Sequence, residues 1–327
     1  MFDDSLKSVD NLIVTKALIE QHLHGGFGID FSLCTASDFI DFSKKILKYG
    51  VCGFFPTLAT DTVEYLRTQI YEIKKAQEFQ KDAKEPMAKI LGVHLEACFL
   101  NPEKKGIHNE TLFLKPTIEN YKLLEDDVIK IVTLAPELDE DFELCKYLNS
   151  KGVRVSAGHC TGSNLSAVEQ VTHLFNAMGT FSHKEPSTVV SALCDDSIYV
   201  ELIADGKHVQ DDVLKITFRT KPLNKIILIS DALPIAHSDK DSMEFCSKKV
   251  FLKDGKAVDA NGTMAGSTAF VSDIIKSLVK RNLLDVRTAA AMASSNINYV
   301  PHIDAQIYWE NDLSISAMNF EGNIITF

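Results

Sequence analysis

The sequence predicts an α/β chain built as a (β/α)8, TIM-like barrel, and three observations carry that reading. Eight short apolar runs read as strands, helical patterns separate most of them, and ionisable side chains stand at the ends of six of the eight runs. Parallel strands need crossover helices, so this alternation suits a barrel.

The first strand ends in E-Q-H-L-H-G-G (20–26). In a strand, His22 and His24 point to the same face, and two neutral imidazoles side by side suit a divalent metal. A solvated loop with two incidental histidines is the alternative. A helix follows, S-D-F-I-D-F-S-K-K-I-L-K-Y, with Ser37 as N-cap. The second strand is V-C-G-F-F-P-T (51–57), and a long charged helix covers 61–83. Strands three and four are 88–96 and 129–136, and a helix from Glu140 to Ser150 ends near Gly152. Strands five to eight are 153–159, 170–176, 198–206 and 226–232. Beyond them, 243–262 reads as a hairpin turning at D-G (254–255), followed by helices at 267–282 and 285–294. The tail from His302 to Phe327 reads as short strands with turns at 310–312 and 321–323.

Composition narrows the function classes. The 34 basic and 45 acidic residues leave a net charge of −11, which argues against sequence-independent nucleic-acid binding. An anionic substrate then needs short-range donors to overcome the global field. Seven cysteines without a C-x-x-C spacing read as reduced thiols. The N-terminus lacks a basic and apolar leader, and no apolar stretch is long enough for a bilayer. A cytoplasmic location with no membrane partner is expected.

The polar residues are placed where barrels carry chemistry. His22 and His24 close the first strand, Glu96 the third, His159 the fifth and Asp231 the eighth; His173 lies in the sixth, and His208 follows the seventh. Catalytic groups in such barrels gather at the C-terminal strand ends. Histidine and carboxylate ligands with open positions hold a hydrolytic metal, and a carboxylate beside its water can act as general base and then acid. Asp231, ending the last strand, is the candidate for that role.

These residues sit in motifs that occur in order: G-V-H-L-E (92–96), K-K-G-I-H-N (104–109), V-T-L-A-P-E (132–137) and V-S-A-G-H (155–159). T-H-L-F-N-A-M (172–178), A-D-G-K-H-V (204–209), S-D-A (230–232) and N-G-T-M-A-G-S (261–267) follow. Together they resemble the N-acetylglucosamine-6-phosphate deacetylase family of the amidohydrolase superfamily, over about residues 20 to 295. The resemblance implies hydrolysis of N-acetyl-D-glucosamine 6-phosphate to D-glucosamine 6-phosphate and acetate. It implies metal ligands Glu96, His159 and His173, with Asp231 as base and acid and His108 polarising the acetamide. It places Asn176, Ala177, His208 and Lys184 on the sugar phosphate and Met264, Ala265 and Gly266 along the pocket. Members with H-x-H at the first strand hold two metals, so His22, His24 and Asp231 are expected to complete a second site. Zinc and iron suit these ligands equally. A homodimer acting on a small amino-sugar phosphate is the implied assembly.

Three departures stand out against the family pattern. Here H-L-E is followed by Ala97 and Cys98 in place of Gly-Pro, Lys184 stands where an arginine is usual, and the amino-terminal strands of a small β-sandwich are almost absent. The barrel is therefore expected over 17–300, with 1–16 and 301–327 as a reduced β remnant. Cys34, Cys52, Cys145, Cys160, Cys194, Cys246 and His94 are read as packing residues, and His183, His237 and His302 as surface residues. Two rival functions stay open: an amidohydrolase for another N-acyl sugar or cyclic amide, and an inactive truncated relative that binds without turnover.

Overall fold

The computed structural model describes residues 12–327. The part of the expected β remnant in residues 1–11, and the N-terminus read for a leader, lie outside the described residues. Eight parallel strands follow one another in the sheet in chain order: Leu18–Leu23, Val51–Ala59, Val93–Glu96, Ile129–Leu134, Arg154–Ala157, Gln170–Val171, Tyr199–Leu202 and Ile226–Leu228. All nine residues of Val51–Ala59 are buried, as expected of a strand covered on both faces.

The ring closes between its last and first strands. The Asp231 N–H donates to the His22 carbonyl at 2.9 Å, and the His24 N–H donates to the Ala232 carbonyl at 2.8 Å. Leu23 and Ala232 form the parallel bridge between them. Beside this seam Glu20 is fully buried and accepts from the Val271 N–H at 2.6 Å and the Ser230 N–H at 3.3 Å. It joins the first strand to the last strand and to the helix Val271–Lys280.

The helices form for local reasons and bury one stripe each. Val63–Asp82 is capped by Thr62, whose hydroxyl accepts from the Tyr65 N–H at 3.3 Å, and it buries Leu66, Ile70, Ile73 and Ala76 at helical spacing. The first helix, Ala36–Lys45, is capped by Thr35, not Ser37, because Asp38 answers the Thr35 N–H at 2.8 Å to complete a capping box. The helix expected from 267 starts at Val271, since Ser267 is still paired with Ala232.

Several strands are shorter than the apolar runs suggested. The third breaks at Gly92, and the sixth keeps only Gln170–Val171 because His173, Phe175 and Ala177 turn left-handed. After the eighth strand, four antiparallel strands (Ser242–Phe245, Lys248–Lys253, Lys256–Asp259 and Met264–Gly266) build a flap over the C-terminal rim. Its central turn is the expected Asp254–Gly255, both with positive φ, as a type I′ hairpin needs. Cys34, Cys52, Cys145 and Cys160 are buried, whereas Cys194, the last residue of Thr188–Cys194, is exposed.

A second sheet is made by Ile13–Lys16 with Ala305–Trp309, Ile315–Phe320 and Asn323–Thr326. Trp309 is fully buried there and donates to the Thr15 hydroxyl at 2.9 Å. This sheet leans on the barrel at Gly50, whose φ is +76° and whose absent Cβ would stand 2.8 Å from Ile315 Cδ1 and 3.0 Å from Ile307 Cδ1. Gly50→Ala is therefore expected to destabilise the fold by about 1–3 kcal/mol through strain and overpacking. Denaturant unfolding checks this; an unchanged midpoint would show that the contact is not tight.

Candidate active site

Six of the side chains singled out from the sequence converge on one point at the C-terminal rim. Glu96 lies at the centre, 1% exposed at the end of the third strand, and its two oxygens face different partners. Oε1 is 3.0 Å from His173 Nε2 and 3.4 Å from His159 Nε2. Oε2 is 3.2 Å from His24 Nε2 and 3.3 Å from His22 Nε2. Asp231 Oδ1 joins the second group, 3.3 Å from His24 Nε2 and 3.5 Å from His22 Nε2. The carboxylate thus divides the cluster into two halves that share it.

The outer nitrogens decide what the inner ones can do. His22 Nδ1 meets the Glu201 carboxylate at 3.0 Å, His24 Nδ1 the Thr57 carbonyl at 3.2 Å and His159 Nδ1 the Lys104 carbonyl at 2.7 Å. A carbonyl or carboxylate opposite Nδ1 calls for a proton there, so each neutral ring turns an Nε2 lone pair inward. His159 Nε2 and His173 Nε2 face each other at 3.2 Å, and His22 Nε2 is buried without a hydrogen-bond partner. Imidazole nitrogens and carboxylate oxygens brought this close fit a divalent ion.

The electrostatics point the same way. Burial opposes the charge of Glu96, yet His22, His159 and His173 hold its carboxyl well below the usual carboxylate range. Burial also works against charge on His24, and Asp231 and Glu96 outweigh it, pushing His24 up to about 9. Two carboxylates demand positive charge here, and a divalent ion supplies it without a proton. His108 differs: burial, then His159, holds it well below the usual imidazole range. The Thr60 N–H donates to His108 Nδ1 at 3.3 Å, leaving the Nε2–H free to donate. Thr60 is itself held by the Cys98 N–H at 3.2 Å, and Cys98 takes a left-handed φ of 65°. The Ala97–Cys98 departure therefore places the strain on Cys98 and leaves Ala97 unstrained.

Strain is concentrated at this rim. His159, His173, Ala177 and Asp231 all have positive φ, a costly conformation for non-glycine residues that persists where surrounding contacts impose it. Gly266 (φ +145°) passes so close that a Cβ would lie 2.8 Å from the Asp231 carbonyl.

A cavity of about 370 Å³ opens above the cluster. It is lined by His24, Glu96, His159, His173, Asp231 and His108 together with Asn176, Ala177, His208, Met264, Ala265 and Gly266. His208 is oriented by Asp205, whose carboxylate lies 2.8 Å from Nδ1. Phe245 of the flap packs against His24 with ring centroids 5.2 Å apart. Lys184 is exposed on the loop after Met178 and is not among the residues that line the cavity. The lysine that lines the cavity is Lys104. Sequence reasoning missed Lys104, Thr57 and Thr60, which act through backbone groups or carry no charge. It also missed Glu201, although a glutamate inside the apolar run I-Y-V-E-L-I-A was a readable signal.

No family model matches the chain. Among curated relatives, the N-acetylglucosamine-6-phosphate deacetylase of Rattus norvegicus is 32% identical over 317 residues, 89% of this chain and 75% of that enzyme. The enzyme of the same name from Caenorhabditis elegans is 30% identical over 296 residues, 83% of this chain and 69% of that one. The crystal structure of the N-acetylglucosamine-6-phosphate deacetylase from Pasteurella multocida superposes with a TM-score of 0.88 at 25% identity, covering 100% of this chain and 90% of that one. With the barrel, the shared-carboxylate cluster and these relatives in agreement, the chain belongs to the N-acetylglucosamine-6-phosphate deacetylase family.

Proposed function

We propose that the protein hydrolyses the acetamide of N-acetyl-D-glucosamine 6-phosphate, releasing D-glucosamine 6-phosphate and acetate. The observation that carries the proposal is the division of Glu96: one oxygen faces His159 and His173, the other His22 and His24, which Asp231 also approaches, and Glu96, His24, His159, His173 and Asp231 line the same cavity as His108 and His208. That division supports a reading in which Glu96, His159 and His173 would hold one divalent ion and His22, His24 and Asp231 would help hold a second, zinc or iron in kind. When bound, such ions supply Lewis acidity, easing deprotonation of a water near neutral pH and drawing charge from a carbonyl oxygen.

The rest of the work falls to the chain's own residues. The Asp231 carboxylate accepts a proton from the attacking water as the new C–O bond forms. The His108 Nε2–H donates to the acetamide oxygen while negative charge builds there. Asp231 then returns its proton to the sugar nitrogen as the C–N bond breaks, leaving a neutral amine and acetic acid, whose remaining proton passes to solvent to give acetate. His208, backed by Asp205, and the Asn176–Ala177 main chain are aimed into the cavity to receive the phosphate. In a chain of net charge −11, affinity for that dianion comes from these short-range donors and from Lys104. The full ligand set speaks against an inactive binding protein.

Three measurements test this. Protein loaded with zinc is expected to hold about two ions per chain, and the His22→Ala/His24→Ala double variant about one. Unchanged stoichiometry on mass spectrometry would overturn the two-ion reading. Asp231→Asn is expected to keep the fold and lower kcat by about 10²–10⁴-fold. A kcat within tenfold of the parent assigns the base elsewhere. His208→Gln is expected to lower kcat/KM for the 6-phosphate by about 10–150-fold, which corresponds to the ~1.5–3 kcal/mol of a hydrogen bond to a charged group. Unphosphorylated N-acetylglucosamine should lose little, and an equal loss on both sugars would remove His208 from phosphate recognition.

A further inference from the structure

A second cavity, of about 380 Å³, lies at the other end of the barrel, among the N-terminal ends of the strands. Arg154, the first residue of the fifth strand, is its dominant polar group. The guanidinium is held between two rings, its carbon 3.8 Å from the Tyr299 centroid and 5.2 Å from that of Tyr199. Aromatic faces satisfy the planes of the ion but not its N–H edges. Nε and Nη1 are enclosed with no hydrogen-bond partner, and among the described residues no carboxylate comes within 4.0 Å of this cation. Glu169, the acid on the cavity wall, stands outside that range.

The surroundings show what would complete it. Lys130 lines the same cavity and spends one proton on the Asp127 carbonyl at 2.8 Å, keeping the others. Lys225 stands over the Tyr199 ring at 4.1 Å, on the aromatic plate shared with Arg154. Three cations thus gather at one end of a strongly acidic chain. Besides these groups, Glu169 and Asn149, the wall carries an apolar stretch formed by Phe55, Leu91, Val300 and Pro301. A fork-shaped cation beside an apolar wall suits a planar monoanion with an apolar body. A phosphate dianion suits it less, because Glu169 on the wall repels a second charge and the apolar stretch gives phosphate nothing to pair with.

We infer that this cavity is a binding site for a small organic carboxylate, with the anion on Arg154 and Lys130 and the apolar body against Leu91, Val300 and Pro301. The site does not depend on the reaction proposed for the opposite rim. It is nonetheless connected to that rim: the Tyr299 hydroxyl donates to Gln21, Gln21 donates to Glu201, and Glu201 lies 3.0 Å from His22 Nδ1. An occupant that shifts Tyr299 therefore acts on the partner of a metal ligand.

Benzoate is the probe, titrated by calorimetry into metal-loaded protein with acetate and inorganic phosphate as comparisons. Saturable benzoate binding is expected, tighter than for either comparison ion. Arg154→Met should weaken it at least tenfold with metal content unchanged. Val300→Trp, which fills the cavity and leaves the guanidinium in place, should also abolish it, so the test stands if Arg154→Met does not fold. Benzoate binding that survives both substitutions, phosphate binding as tight as benzoate, or no binding at all would overturn the site.

Discussion

The two hydrogen bonds that close the barrel, Asp231 N–H to the His22 carbonyl and His24 N–H to the Ala232 carbonyl, are the constraint on which the rest of the site depends. They lock the first strand to the eighth in a register that sets His22, His24 and Asp231 side by side. A slip of one residue would turn both histidines away from the interior, since strand side chains alternate in direction. Glu20 reinforces the same seam by accepting N–H groups from Ser230 and Val271. Without that closure, Glu96 would face only the His159 and His173 half of the cluster.

Behind the rim the barrel interior is polar in a way that serves the metal ligands. His94 bonds Thr133 at 2.7 Å, and Thr133 passes to Thr172 at 2.8 Å, so its ring is fully used in packing. Burial, then the charge of His22, brings His94 down to about 4 and keeps it neutral. Glu201 takes the opposite part. Burial opposes its charge, but His22 holds it below the usual carboxylate range, and that anion keeps the proton on His22 Nδ1. Two buried groups a few ångströms apart are therefore both held without their proton, His94 neutral through burial and the charge of His22, Glu201 anionic through the imidazole it meets.

The two ends of the barrel present contrasting electrostatics. The C-terminal rim concentrates carboxylates and imidazoles around a point that requires a cation. The N-terminal end carries Arg154 and Lys130 on one cavity, with Lys225 over the neighbouring Tyr199 ring, where the inferred occupant is an anion. The hydrogen-bond chain from Tyr299 to His22 runs between them through the polar core.

Much of this was readable in the sequence. Hydrophobic alternation determined eight strands and most of their helices, because burial on both faces leaves continuous apolar runs. The residue types at the strand ends determined the chemistry, and six of them do converge. The sequence also determined the Asp254–Gly255 and Glu321–Gly322 turns, since these residues tolerate the positive φ those turns require. The tertiary structure alone decided the tautomers, through Glu201, the Thr57 carbonyl and the Lys104 carbonyl, which lie far from their histidines in the chain. It also decided that Lys104 and not Lys184 lines the cavity, and that Arg154 stands between two tyrosines without a counter-ion among the described residues. The physical reason is common to all three: a residue's type and spacing are local properties, whereas its hydrogen-bond partner and exposure are set by chain segments that meet only when the ring of strands has closed.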